Sequence, residues 1–246
     1  MSHSFDSAAT TYNKFAKIQH ITADYLVKNA PILSVKRCLD IGCGTGLLTQ
    51  KIQAVSPELH IDAVDCSREM VAQMAMSSLN NVRLFCTDYL LFEPDDYYDL
   101  IMSNAALHWM DMSTALTRMA LQLAPNGQCF LAIYGQDTAK ELQDLLTKLR
   151  PTRGVPAAHF LDSTALQHLG DAVFSTWSVV TQHYTITFDS IQSLLLTQKK
   201  TGVNGNVGSA DGLWTPRFIQ RLSDAFNDTY HQIQLTYQVH FCHGKQ

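Results

Sequence analysis

Residues 39–46 read Leu39-Asp40-Ile41-Gly42-Cys43-Gly44-Thr45-Gly46, and this octapeptide constrains the chain more than any other stretch. It follows a strand-like run, Val35 to Leu39, and leads into a helix-like one, Leu47 to Ala54. Glycines between a strand and a helix remove Cβ atoms where backbone must approach a ligand. The following helix presents unpaired N–H groups and the positive end of its dipole. Spacing then selects the ligand. A dinucleotide fingerprint runs GxGxxG, whereas this turn runs D-x-G-x-G-x-G, with Asp40 ahead of the first glycine. A carboxylate there repels a pyrophosphate and attracts an ammonium. The turn therefore predicts a nucleoside carrying an amino acid, S-adenosylmethionine.

The rest of the chain reads as alternating strands and helices, which predicts an α/β fold: a doubly wound, seven-stranded, mostly parallel sheet with helical insertions. Strands are expected at Val35–Ile41, His60–Asp65, Asn81–Cys86, Asp99–Asn104, Gln128–Tyr134, Phe174–Phe188 and Gln232–Cys242. Helices are expected at Thr45–Val55, with Thr45 as cap, and at Ser67–Ser78, Ser113–Leu123 and Thr138–Leu149. Further helices are expected at Ser163–Leu169, closed by Gly170, at Asp189–Lys200, capped by Asp189 and left through Gly202, and from Thr215-Pro216 to Phe226. Phe5 to Asn29 reads as one helix or two, with Tyr12, Phe15, Ile18, Thr22, Tyr25 and Leu26 at helical spacing. Residues 1–246 are expected to form one domain, with 1–30 as a helical cover and 135–171 and 189–231 as insertions over the site.

Site residues follow from the strand ends, because ligands bind an open parallel sheet beyond its carboxyl edge. Asp65, 19 residues after Gly46, ends the second strand and is placed to hold ribose hydroxyls. Asp88 can accept from an adenine amino group or simply cap a loop, and Tyr89 can supply a flat apolar wall. The segment Asn104-Ala105-Ala106-Leu107-His108-Trp109 lies where a cofactor and an acceptor would meet. His108 invites a general-base role, with packing or capping as the alternative.

Composition narrows the partners. The formal charge of −4 argues against sequence-independent nucleic-acid binding. It is uneven: residues 1–134 carry −4 and residues 135–246 carry zero. The second half gathers Lys148, Arg150 and Arg153, then Lys199 and Lys200, then Arg217 and Arg221, clusters that are either solvated faces or a dock for an acidic partner. No run approaches a membrane span, the first residues lack a signal-peptide pattern, and six cysteines without a CxxC pair favour free thiols over a zinc site. A cytoplasmic location is the expectation.

Several motifs together resemble the class I S-adenosylmethionine-dependent methyltransferases, and more closely the biotin-pathway malonyl-[acyl-carrier protein] O-methyltransferases, the BioC family. They are Phe5-Asp6-Ser7-Ala8-Ala9 with Tyr12 and Gln19, then residues 39–46, then Ser103-Asn104-Ala105-Ala106-Leu107-His108-Trp109. The most specific are Leu195-Leu196-Thr197-Gln198-Lys199-Lys200-Thr201-Gly202-Val203-Asn204 and Leu235-Thr236-Tyr237. His108 departs from the Gln expected before the Trp. The resemblance implies a Rossmann-like methyltransferase with S-adenosylmethionine as donor and S-adenosylhomocysteine (SAH) as product. It implies methylation of the free carboxylate of a malonyl group carried by acyl-carrier protein, for pimelate and biotin synthesis. Asp40 would face the donor's amino group, Gly42, Gly44 and Gly46 would give clearance, Asp65 would hold the ribose, and Cys66 would line the adenine. Asp88 and Tyr89 would fix the base, Asn104 would offer its backbone carbonyl, and Tyr12 would close over the methionine end. Trp109 would wall the acceptor channel, and Lys199 would meet the malonyl carboxylate or the carrier. A carboxylate is already ionised at neutral pH, so no catalytic base is assigned. A methyltransferase for another small carboxylic acid, and a non-catalytic carrier-binding protein on the same fold, stay open as alternatives.

Overall fold

A computed structural model of the chain describes residues 6, 8–150, 155–201 and 214–246. Five parallel strands are laid down first: β1 (Arg37–Ile41), β2 (His60–Asp65), β3 (Val82–Cys86), β4 (Tyr98–Asn104) and β5 (Leu123–Tyr134). Two long strands follow, β6 (Thr176–Thr187) and β7 (Gln234–Lys245). The sheet order is β3-β2-β1-β4-β5-β7-β6, with β7 antiparallel to both neighbours. The order reverses between β1 and β4, which opens a crevice above their carboxyl ends.

Helices cover both faces. On one side lie α1 (Tyr12–Phe15), α2 (Lys17–Asn29), α3 (Leu47–Val55) and α4 (Arg68–Ala75), then α5 (Met112–Gln122), α6 (Lys140–Leu149), α7 (Ser163–Asp171), α8 (Ile191–Lys200) and α9 (Pro216–Tyr230) complete the set in chain order. The faces are set by strand alternation. Cys38, Leu100, Met102, Ala132 and Tyr134 pack with Leu26, Ile52, Leu145, Leu194 and Phe226 on one side. Leu39, Ile41, Ile101, Leu131 and Ile133 pack with Leu116, Met119 and Leu166 on the other. Parallel strands buried on both faces need such continuous apolar runs. β6 sits at the sheet edge and alternates exposed and covered residues along its length.

Several boundaries differ from expectation for local reasons. Over Tyr12–Asn29 the N-terminal segment takes the second of the two alternatives left open, two helices broken at Ala16. Thr45 does not cap α3; its hydroxyl donates to Asn13 Oδ1 at 2.6 Å, and left-handed Gly46 (φ 84°) takes the cap position. Asp189 does not cap α8. Ser190 does, in a reciprocal box with Ser193, because a hydroxyl there both accepts from Ser193 N and leaves its own N–H to Ser193 Oγ. Gly170 lies inside α7 rather than after it: a Cβ there would come within 2.1 Å of the Trp177 ring. Gly202 and the loop 204–212 lie outside the described residues.

At the amino-terminal edge of the sheet, opposite the crevice, Asp62 is buried and receives Arg83 Nε at 2.7 Å, Arg37 Nη2 at 3.0 Å and the Tyr98 hydroxyl at 2.7 Å. Burial alone would raise its pKa; the donors from Arg83, Tyr98 and Arg37 outweigh it and hold the carboxyl below its ordinary value.

Candidate active site

The glycine turn closes on the second strand. Gly42 N and Cys43 N both donate to Val64 O, at 2.8 and 3.1 Å. Gly42, Gly44 and Gly46 all have positive φ, 69°, 54° and 84°, a region L side chains avoid. Their roles separate. A Cβ on Gly42 would meet Ala106 Cβ at 2.2 Å, and one on Gly46 would meet Met74 Cγ at 2.8 Å. Those two clear protein. A Cβ on Gly44 would meet no protein atom within 4 Å, so its bare backbone faces free space.

That space is a narrow cleft bounded by Tyr12, Gln19, Asp40, Gly44, Thr45 and Asn104, among others. Asp40, at the end of β1, is 1% exposed. Its Oδ2 accepts from Thr49 Oγ1 at 2.5 Å, while Oδ1 has no partner. Burial raises its carboxyl to about 7, against the Thr49 hydrogen bond and with help from the nearby Asp65 charge. Gln19 Oε1, from α2, is also buried without a hydrogen bond of good geometry, although its side chain lies beside the Tyr12 hydroxyl. Asp65, at the end of β2, is held by two backbone donors, Gly44 N at 2.9 Å and Ser67 N at 2.8 Å. Burial still raises its pKa, and Asp6 adds to the rise. Both carboxylates thus stand with lone pairs to spare, one deep and one at the rim.

The far wall comes from the end of β4. The Asn104 side chain accepts from Thr22 Oγ1 at 2.7 Å and donates to Gln19 O at 2.9 Å, which ties the strand end to α2. His108 and Trp109 then form a short 3-10 turn. The His108 ring packs on Tyr134 (centroids 4.8 Å), Phe160 (4.5 Å) and Trp109 (5.0 Å). Both ring nitrogens are buried without partners, and desolvation lowers the pKa to about 3. His108 is therefore neutral at pH 7 and sits among aromatic rings.

Comparison with known proteins fits this geometry. A family described as "Methyltransferase domain" matches residues 38–127, the span from β1 through the start of β5. A malonyl-[acyl-carrier protein] O-methyltransferase of Halorhodospira halophila is 28% identical over 98% of this chain and 85% of that protein. One from Ilyobacter polytropus is 26% identical over 94% and 90%, and one from Bacillus anthracis 24% identical over 82% and 79%. Among solved structures, the YcgJ protein of Bacillus subtilis superposes with a TM-score of 0.63 at 19% identity, covering 92% of this chain and 98% of that one. The plantazolicin methyltransferase BpumL, solved in complex with SAH, superposes at 0.53 and 14% identity, covering 100% and 89%.

The chain carries the class I methyltransferase fold, with a methyltransferase-domain match over residues 38–127.

The cleft residues fit S-adenosylmethionine as donor. The orphaned oxygen of Asp40 complements an ammonium, and the open lone pairs of Asp65 complement hydroxyl donors. Cys66 follows Asp65 and is exposed, its thiol raised by burial and by the charges of Asp65 and Asp88. Asp88 is therefore near that rim, but its Oδ1 already accepts from Leu90 N at 2.9 Å, the capping role left open above. Tyr89 is a correction. It is 2% exposed, packs with Phe92, Leu116 and Met119 and donates its hydroxyl to Gln122 at 3.0 Å. The turn capped by Asp88 rotates it into the core, so it makes no wall for the base. Lys199 is exposed, which suits a contact with the carrier, whereas its neighbour Gln198 is 1% exposed and donates to the Tyr237 hydroxyl at 2.8 Å. Successive residues of an α-helix point about 100° apart, so α8 turns Gln198 inward and Lys199 out. Tyr134, Tyr237 and Gln198 had no assigned role in the sequence reading. Their only local signal is polar atoms set at core positions of a strand or helix.

Proposed function

We propose that the protein transfers a methyl group from S-adenosylmethionine to the free carboxylate of a malonyl thioester on acyl-carrier protein, giving the methyl ester that primes pimelate and biotin synthesis. One observation carries the reading. The two stretches most specific to the resembling family, on α8 and β7, meet beside the site through the Gln198–Tyr237 hydrogen bond. The relatives that carry this activity in their names cover the same stretches along with the rest of the chain.

The chemistry asks little of an acid or base. The donor supplies a methyl carbon on a sulfonium; a carboxylate oxygen takes it, the carbon–sulfur bond breaks, and no proton moves. The protein's work is to bind, align and exclude water. Asp40 holds the amino group of the donor and Asp65 its ribose, with Cys66 and Asp88 beside the base. Tyr12 covers the cleft, the Asn104 carbonyl faces the methionine end, and Trp109 walls the acceptor side. His108, neutral and enclosed, packs rather than abstracts a proton. The described residues of the segments 135–171 and 189–231 form the lid, and their exposed bases receive the acidic carrier. We place the reaction in the cytoplasm: all six cysteines are free, and among the described residues no helix is long and apolar enough to cross a membrane.

Intact mass spectrometry of malonyl-acyl-carrier protein, incubated with enzyme and S-adenosylmethionine, tests the reading. The expected result is a gain of one methyl group that mild ester hydrolysis removes. SAH binding without any methyl gain on the carrier would overturn it.

A further inference from the structure

The sheet register places four polar residues on one face in a rising line. Asp40 of β1 pairs with Met102 of β4, and Asn104 lies two residues beyond. Asn104 pairs with Ala132 of β5, and Tyr134 lies two beyond. Tyr134 pairs with Val239 of β7, and Tyr237 lies two further out along that antiparallel strand. Neighbours in register point to the same side, and so do residues two apart. Asp40, Asn104, Tyr134 and Tyr237 therefore line a single face. Each step across the sheet climbs by two residues, about 6.6 Å of strand rise.

The lower end of this line is the cation-binding end of the cleft, with the orphaned Asp40 oxygen. The upper end is different in kind. Tyr134 is 1% exposed, and its hydroxyl has no partner. The Tyr237 hydroxyl, 3% exposed, accepts from Gln198 Nε2, which leaves its own proton to donate. The two rings are 5.8 Å apart, with His108 stacked on Tyr134. Tyr134 lies within electrostatic reach of both Tyr12 and Tyr237, so the three phenols share one locale, and Tyr12 borders the cleft. A buried hydroxyl without a partner carries a desolvation penalty, which a bound acceptor group removes.

We propose that Tyr134 and Tyr237 seat the acceptor carboxylate, each donating its hydroxyl proton to it, with neutral His108 closing the chamber. This inference rests on the carboxyl-methylation reading and supplies the binding site that reading lacked once Lys199 proved to face outward. Neutral donors suit the reaction better than a cation. A lysine would hold the carboxylate but draw down the electron density needed for attack. Phenols hold it by hydrogen bonds and leave it anionic in a dry, apolar pocket, where an anion meeting a sulfonium gains most from electrostatics. The line then grades from a carboxylate that takes the donor's ammonium to hydroxyls that take the acceptor's anion, with the methyl transferred between them.

The test uses Tyr134→Phe and Tyr237→Phe, which keep the rings. Expected for each is a fall of roughly 10- to 100-fold in kcat/KM for malonyl-acyl-carrier protein, the range of one hydrogen bond to a charged group. SAH affinity by calorimetry should stay within about two-fold. Binding of the carrier bearing the neutral malonyl methyl ester should also stay within about two-fold, whereas binding of the charged malonyl carrier weakens. A merely structural role would move both carriers together. Tyr134→Phe with unaltered kcat/KM, or an equal loss for both carriers, overturns the chamber while the carboxyl-methylation reading stands. A wild-type enzyme that methylates no malonyl carrier overturns the reading and the chamber with it.

Discussion

On the proposed function, Asp40 is the residue on which donor binding turns. Its carboxyl is raised to about 7, so at about pH 6 the ligand-free protein holds it largely as the acid. An ammonium arriving beside it favours the carboxylate and expels that proton. SAH affinity should therefore climb as pH rises from about 6 through 7, by at most tenfold per unit, and level off above. Calorimetry in two buffers of different ionisation enthalpy should register proton release near pH 6.5. Asp40→Asn should bind more weakly, with no such slope and no proton release. The same group works against folding of the free protein. Its folded pKa lies above the unfolded one, so the native state keeps a proton that the unfolded chain loses. Stability contributed by Asp40 falls as pH climbs from the ordinary carboxylate value toward 7. Glycine shows the same division of labour at single-residue scale. Gly42→Ala must displace Ala106, whereas Gly44→Ala keeps its packing and strains the backbone that faces the ligand.

At the scale of elements, the amino-terminal strand ends are pinned by Asp62 and its two arginines from β1 and β3. Asp62→Ala should cost about 1–3 kcal/mol, below the range for a fully enclosed pair because Arg83 is half exposed. That corresponds to a drop of about 3–10 °C in Tm, read by scanning calorimetry. Because its folded pKa is depressed, this contribution is complete above the ordinary carboxylate range and is lost as pH falls through the lower folded value. Elements of this kind were largely legible in the sequence. Glycines with positive φ, alternating apolar residues and Ser, Asp and Thr caps are local signals, and β1 to β5 with their helices follow from them. The cap of α8 moved by one residue, because Asp189 and Ser190 satisfy the same local rule and the reciprocal bond to Ser193 decides between them. What was illegible is non-local. Tyr89 reads as an exposed loop aromatic until the core beside Gln122 claims it. Gln198 and Tyr237 stand 39 residues apart, and no periodicity announces that they touch. Of the proposed site, the cleft beside the glycine turn was readable because a local motif encodes that turn. The acceptor half depends on strand order and register across β4, β5 and β7.

At the scale of the whole molecule, charge is sorted along the chain, with the balance of −4 confined to residues 1–134. Arg150 lies over the Phe218 ring at 4.1 Å, which brings the end of α6 against the start of α9 and sets Lys148, Arg217 and Arg221 on neighbouring exposed surface. Arg217→Glu with Arg221→Glu should raise KM for malonyl-acyl-carrier protein about tenfold at low salt and leave kcat unchanged. The effect should shrink as ionic strength rises and the Debye length contracts. An unchanged KM would remove this patch from carrier recognition.

The antiparallel β7 carries a consequence in time. Among the described residues it is the last of the seven strands in chain order, yet it sits inside the sheet, between β5 and β6. All twelve residues of β6 pair with it. A ribosome delivers the chain from the other end. Until residues 234–245 emerge, β6 has no partner in the order described, β5 has a bare edge, and the chamber wall that Tyr237 provides does not exist. Donor-binding parts can assemble early, but the acceptor side waits for the final strand. Synthesis halted shortly before it would leave an unpaired edge exposed to other chains.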